Sequence, residues 1–331
     1  MDRPPTSRDV AARAGVSQST VSYVLSGKGN ISAQTRAKVL RAADELQYTV
    51  NLAARSMRTH RSGRLAIVIS VTNWNLASVL DGATNAAHEA GYVVEVQSLP
   101  RERAFRSQRL QQIIDSGQFE GVLSLAPMSH HRAPRATSRT TVMAMTDFDE
   151  EMHVRGELAD PAPMVEMMEE LVRMGHRRFL HIAGLPSYPS AITRREAYEA
   201  TIERLGLVSL GVVGHEWTAE AAEAAIRALP DDAPPLAVMA ANDLIATGAV
   251  RGAIKRGWSV PGDVSVAGWD DHTSSAFQVP SLTTVSVNRE EIGSRAIRRL
   301  LAAMRGEEAP ATSGKLQHVI WRESTAAPRT R

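Results

Sequence analysis

Gln18, Ser19, Ser22 and Tyr23 are side chains suited to touching the edges of nucleic-acid bases. A glutamine amide can pair bidentately with adenine, and hydroxyls can meet either base edges or phosphates. Their spacing puts them on the polar side of one short helix, Gln18 to Leu25, whose apolar side is Val21, Val24 and Leu25. Ser17 is placed to cap that helix, whose first turn offers backbone N–H groups to a phosphate.

Residues that could do catalytic chemistry are sparse and poorly grouped. The pair His130–His131 lies in a polar segment without the spaced partners a metal site needs, so no metal and no cofactor is expected. His176 in "MGHRRF" reads as the end of a helix, near its negative pole, rather than as a base. The two carboxylates of "WDD", Asp270 and Asp271 after Trp269, are adjacent and therefore point apart, which suits one of them to a ligand hydroxyl better than to acid–base work. The sequence has no Gly-x-Gly-x-x-Gly, Walker, Gly-x-Ser-x-Gly or His-Glu-x-x-His pattern, so an enzyme is not expected. With no cysteine there is no thiolate nucleophile and no disulfide, which fits a reducing compartment.

The elements that must position the base-reading side chains are three helices. Ser7 is the expected cap of the first, running to about Ala14, with Gly15 supplying the turn. Ser32 caps the third, to about Gln47, buried through Val39, Leu40, Ala43 and Leu46. Two helices joined by a glycine turn and backed by a third form a helix-turn-helix, whose second helix enters the major groove. Residues 1–64 carry eleven Lys or Arg against four acids, a net charge of +7 on a chain whose total is +2. A basic head on a mildly acidic body suggests a polyanion for the head alone.

From Leu65 onward apolar strands alternate with amphipathic helices, which argues for parallel sheets in two doubly wound lobes facing across a cleft. The expected strands include "LAIVISV", "YVVEVQS", "GVLSLA", "TVMAM", "RFLHIAG", "LAVMAA" and "VSVAG"; the later helices include Arg194 to Leu205, Leu244 to Arg256 and Arg289 to Met304. No run is long and apolar enough for a bilayer, and the first residues lack the apolar core of a signal peptide, so no membrane partner and a cytoplasmic location are expected.

The head, "TSRDVAARAGVSQSTVSYVLSGKGNISAQTRAKVLRAADELQYTVNLAARSMR", resembles the N-terminus of lactose-repressor (LacI/GalR) family regulators, and the likeness continues through "MAANDLIATGAVRGA" and "GDVSVAGWDDHTSSAFQVPSLTTV". The resemblance implies an α/β protein with a helix-turn-helix headpiece (1–50), a hinge helix and linker (51–63), and a two-lobed, periplasmic-binding-protein-like (type I) effector and dimerisation body (64–331) with parallel sheets. Its N-lobe would comprise about 64–160 and 290–316, its C-lobe about 161–289 and 317–331. Gln18, Ser19 and Tyr23 take the base-reading positions, with Ser17, Thr20, Ser22 and Asn30 available to phosphates; Tyr23 stands where many members have Arg. In the hinge, Met57 sits at the position of the apolar minor-groove wedge, between Arg55 and Arg58 for flanking phosphates. The effector contacts implied are Asn73, Trp74, Asn75, Leu76, Arg194, Asn242 and Asp270, with Trp217 as an aromatic able to stack on a sugar face; Asp243 and Asp271 read as scaffold. The chain departs from the family pattern at Trp74–Asn75, Ala159 and Val287, which implies a different or smaller ligand, or weak binding.

The expectation is therefore a homodimeric, DNA-binding transcriptional regulator, a repressor of an approximately palindromic operator in double-stranded DNA, responding to a carbohydrate effector held between the lobes. The competing readings are a carbohydrate-binding sensor without specific DNA binding and an effector-independent regulator. A sugar-processing enzyme would need a catalytic constellation that the sequence does not assemble.

Overall fold

The computed structural model of the 331-residue chain describes residues 5–25, 31–48, 61–69, 76–100, 102–125, 140–149, 153–312 and 314–329. The chain divides into two compact units, Met1–Gly63 and Arg64–Arg331.

The first unit contains α1 (Ser7–Ala14), α2 (Gln18–Leu25) and α3 (Ala33–Glu45). The cap of α1 is Thr6, one residue before the expected Ser7. Asp9 explains the difference: its carboxylate accepts from both the backbone N–H and the hydroxyl of Thr6 at 2.7 Å, forming one arm of a capping box. Gly15 turns the chain at φ 68, a left-handed conformation that costs glycine little. Val10, Ala11, Val21, Val24, Val39, Ala42 and Ala43 make the small core. Leu40, expected inside, is half exposed, and Ala42 takes the buried position instead, because α3 offers the core a narrower stripe than its leucines suggest.

The second unit holds two three-layer lobes. In the N-lobe, β1 (Arg64–Ile69), β2 (Val93–Ser98), β3 (Gly121–Ser124) and β4 (Thr141–Ala144) form a parallel sheet of order β2-β1-β3-β4. One face packs on α4 (Leu76–Glu89) and the late helix α10 (Arg289–Arg305), the other on α5 (Arg103–Asp115). The C-lobe repeats the order as β6-β5-β7-β8, built from β5 (Arg178–Ala183), β6 (Val208–Gly214), β7 (Leu236–Ala240) and β8 (Val264–Ala267). Here α8 (Ala219–Arg227) and α9 (Asp243–Lys255) cover one face, and α6 (Ala162–Arg173) and α7 (Pro189–Leu205) the other.

The strands β1, β5 and β7 are buried almost throughout, which accounts for their unbroken apolar runs. Three strands carry weaker signals and were not expected: β6, an edge strand holding two glycines, and the short antiparallel pair β9 (Thr284–Val287) and β10 (Gln317–Ile320). Helix α7 starts at Pro189, five residues before the expected Arg194, because Pro189 is favoured in a first helical turn.

The chain passes between the lobes three times: through the turn Gly156–Ala159 into α6, through β9 into α10, and through β10 to the C-terminal segment. Helices α4 and α10 lie almost backbone to backbone. A Cβ on Gly82 would overlap the Glu290 carbonyl, and one on Gly293 would overlap that of Val79. Among the described residues no helix is long and apolar enough to cross a membrane.

Candidate ligand cleft and nucleic-acid interface

On the head, the base-reading side of α2 is open to solvent. Ser17, Gln18, Ser19 and Tyr23 are exposed, while Thr20 and Ser22 are half-buried. Ser17 caps the helix as expected, its hydroxyl accepting from Thr20 N–H at 3.1 Å. The same oxygen lies 2.7 Å from Ser19 Oγ and 2.8 Å from Thr20 Oγ1, so the three hydroxyls form one cluster at the helix start. The Gln18 amide reaches back to Ser7 Oγ at 2.8 Å, which holds it across the turn between α1 and α2. Asn30, Arg55, Met57 and Arg58 lie outside the described residues, as do Asn73, Trp74, Asn75, His130 and His131.

Between the lobes of the second unit is a cavity of about 330 Å³. Its wall brings together Arg194, Trp217, Asn242 and Asp270, four of the residues expected there. Arg194, on the inner side of α7, is 5% exposed and lays its guanidinium 3.9 Å from the centre of the Trp269 ring. Its Nη1 donates to the Ala241 carbonyl at 2.5 Å. Burial lowers its pKa to about 10, with Asp270 acting in the opposite sense, so it is charged at neutral pH. Asn242 caps α9, its Oδ1 accepting from Ile245 N–H at 2.9 Å; the side chain therefore presents the cleft with its amide N–H groups.

Asp270 follows β8 at φ 109, a conformation that side chains with a Cβ rarely adopt. Its N–H is held by the Val285 carbonyl at 2.9 Å, and its carboxylate accepts from Arg289 at 2.8 Å. Asp243, by contrast, is buried and takes three donors from the scaffold: His272 N–H, Ser275 Oγ and Thr284 Oγ1. Burial is the largest influence on its carboxyl and raises its pKa despite those donors. Asp271 accepts from Arg322 at 2.7 Å.

Leu76 departs from its expected role. It is 4% exposed and packs into the N-lobe core, because the first turn of α4 points it at the sheet. His176 does follow the end of α6, its N–H donating to the Leu171 carbonyl at 3.0 Å. It is buried beneath β8 with Nε2 3.0 Å from Ser265 Oγ, and desolvation lowers its pKa. Ala159 lies buried in the turn before α6, where its carbonyl accepts from Thr193 at 2.8 Å, whereas Val287 does line the cavity.

Sequence reasoning missed an aromatic run and a cation. His153 lies tilted against Tyr188 with ring centres 3.9 Å apart, and Tyr188 meets Trp217 edge-on at 5.3 Å. Trp217 in turn lies where any Cβ on Gly184 would be, so that glycine makes the seat for the ring. Arg289 lines the cavity from the first turn of α10. The signals were weak: a tyrosine before a proline, and an arginine after an asparagine cap.

The fold and the cleft define a two-lobed ligand-binding body on a chain that begins with a helix-turn-helix. Residues 168–325 match a periplasmic binding protein-like domain, and residues 6–51 match the bacterial regulatory proteins, lacI family. The HTH-type transcriptional regulator CelR of Thermobifida fusca is 30% identical over 341 residues, covering 97% of this chain and 98% of its own. Among solved structures, the lac repressor dimer bound to operator and the anti-inducer ONPF superposes with a TM-score of 0.71 at 23% identity, covering 98% of this chain and 100% of that one. A CelR–cellobiose complex superposes with a TM-score of 0.57 at 27% identity, covering 97% and 99%. The chain belongs to the lacI family of bacterial regulatory proteins and is a DNA-binding transcriptional regulator.

Proposed function

We propose that the protein is a homodimeric repressor whose hold on an approximately palindromic operator is changed by a carbohydrate-class ligand bound between its lobes. The observation that carries this reading is the cavity walled by Arg194, Asn242, Asp270 and Trp217 on a chain whose α2 carries an open polar face. An aromatic ring covers the apolar face of a pyranose, while guanidinium, amide and carboxylate groups address its hydroxyls. Two lobes joined by three chain crossings can close on such a ligand, and closure shifts the balance between two states only by the difference in affinity for them. Two copies are required because two heads must read two half-sites. Gln18, Ser19 and Tyr23 meet bases, and Ser17, Thr20 and Ser22 meet phosphates. The protein acts in the cytoplasm, where its DNA is, and performs no catalysis.

The test is a gel shift of the full chain on a palindromic site from the promoter beside its gene, with and without sugars. A specific shift at moderate salt that a ligand alters is the expected result. Absence of any specific shift leaves the carbohydrate-sensor reading in its place.

A further inference from the structure

Ser7 and Gln18 open consecutive helices, Ser7 as the first residue of α1 and Gln18 as the first of α2. The packing of the head decides that they meet. One turn on from Ser7 lie Val10 and Ala11, one turn on from Gln18 lies Val21, and all three are buried in one small core. Both helix starts are fixed as well, that of α1 by the Thr6–Asp9 capping box and that of α2 by the Ser17 hydroxyl. Between the helices Gly15 turns at φ 68, and Val16 N–H returns to the Ala11 carbonyl at 3.1 Å. Ser7 is thus a half-buried hydroxyl on a well-held frame, set beside an exposed side chain whose backbone is equally fixed.

Across that contact Gln18 Nε2 donates to Ser7 Oγ at 2.8 Å. A free surface glutamine turns about several torsions, and ordering them on a base costs conformational entropy. The bond to Ser7 completes part of that ordering before DNA arrives. It also leaves the useful part of the amide open. The amide nitrogen carries two hydrogens, so one bond to Ser7 leaves a second N–H together with the carbonyl oxygen. That donor and acceptor are the pair that adenine requires at N7 and N6. The neighbouring hydroxyls are turned to one another instead: Ser17 Oγ lies 2.7 Å from Ser19 Oγ and 2.8 Å from Thr20 Oγ1.

We propose that Ser7 is a positioning residue for base readout: it holds the Gln18 amide in place to pair with adenine, so that the sharpness of one base position in each half-site depends on a side chain of α1 that itself touches no base. This rests on the reading of Gln18 as a base contact. Ser7 stands eleven residues before Gln18 and looks in sequence like the cap of α1. Thr6 takes the cap position, which leaves the Ser7 hydroxyl to Gln18.

The experiment uses the full-length protein on palindromic duplexes randomised in the half-site, followed by fluorescence anisotropy on single duplexes carrying each of the four bases. Q18A identifies the position that Gln18 reads, as the one whose adenine preference it abolishes. The wild-type preference there should be about fivefold to a hundredfold, the scale of one bidentate pair. S7A should reduce it about twofold to tenfold, the scale of one neutral hydrogen bond. S7T, which keeps the hydroxyl, should hold it near the wild-type value, and S7A should have no further effect on it in the Q18A background. Alanine is the strongest helix former, so S7A retains the head's fold, which circular dichroism checks. An adenine preference unchanged in S7A overturns the proposal. So does a loss of affinity equal for all four bases, which is what a structural role or a phosphate contact gives. A preference lost in S7A at a position that Q18A leaves alone overturns it too, because Ser7 then reads a base itself. If Q18A flattens no position, the base-reading role of Gln18 falls and the proposal with it; if Q18A flattens one and S7A does not, only the proposal falls.

Discussion

Arg289 and Asp270 stand on opposite sides of the cleft and meet at 2.8 Å, tying the first turn of the N-lobe helix α10 to the end of the C-lobe strand β8. Both side chains are mostly buried, so the pair is shielded from the solvent that makes surface ion pairs weak. Breaking it from either side leaves a poorly solvated charge. Asp270→Asn and Arg289→Gln should each lower stability, with a coupling of about 1–3 kcal/mol in a double-mutant cycle measured by urea unfolding. Strict additivity would show that the contact carries no energy.

Tyr23 is half exposed on the open side of α2, where arginine would read guanine bidentately and tyrosine cannot. Tyr23→Arg should move base preference toward guanine at one position of each half-site, by about 1–3 kcal/mol. Selection from a randomised half-site library reads this directly. An unaltered preference means that α2 docks in a different register.

His181 lies fully buried in β5, its Nδ1 against the Met239 carbonyl at 2.8 Å, and burial pushes its pKa down from 6.5 to about 4. The unfolded chain takes up this proton near pH 6.5 and the folded chain only near pH 4. The associated stability is fully present above pH 6.5 and is lost as pH falls through that window, by about 3 kcal/mol in total at about 1.4 kcal/mol per pH unit. His176, shifted in the same direction, adds to the slope. Urea midpoints measured between pH 4 and 7 should fall toward acid, and H181Q should flatten the curve.

Gly293 allows α10 to lie directly against the Val79 carbonyl of α4. A methyl group there has only backbone to displace. Gly293→Ala should cost at least about 3 kcal/mol, the upper range for overpacking, and lower Tm by several degrees. Gly91→Ala offers a useful contrast: its added Cβ meets nothing within 4 Å, and any penalty comes from φ 81 alone.

Much of this architecture was legible because its determinants are local. The apolar runs of β1, β5 and β7 announce strands buried on both faces, and Ser17 and Ser32 announce helix starts that the structure uses, whereas the cap of α9 is Asn242, one residue before the Asp243 that its motif suggests. Leu40 and Leu76 show the limit: a leucine at a plausible spacing carries no record of which neighbours reach it, and one turned outward while the other turned into the core. At the cleft, Arg194, Asn242 and Asp270 sit in recognisable motifs, whereas Tyr188, His153 and Arg289 converge from segments far apart in the chain. Only the crossing of three segments between lobes brings those together.

That threefold crossing also sets an order of construction. The N-lobe core needs Ile292, Ile297, Leu300 and Leu301 from α10, a helix encoded after the strands and helices of the C-lobe. A chain growing from a ribosome has every strand of the N-lobe sheet early, yet one of the two helices covering that face emerges more than a hundred residues later. Until then, Leu65, Ile67 and Leu123 lack part of their apolar cover. The lobe begun first thus waits for its last helix until the sheet of the other is made, and nascent chains stopped between β8 and α10 should be the ones that chaperones hold longest.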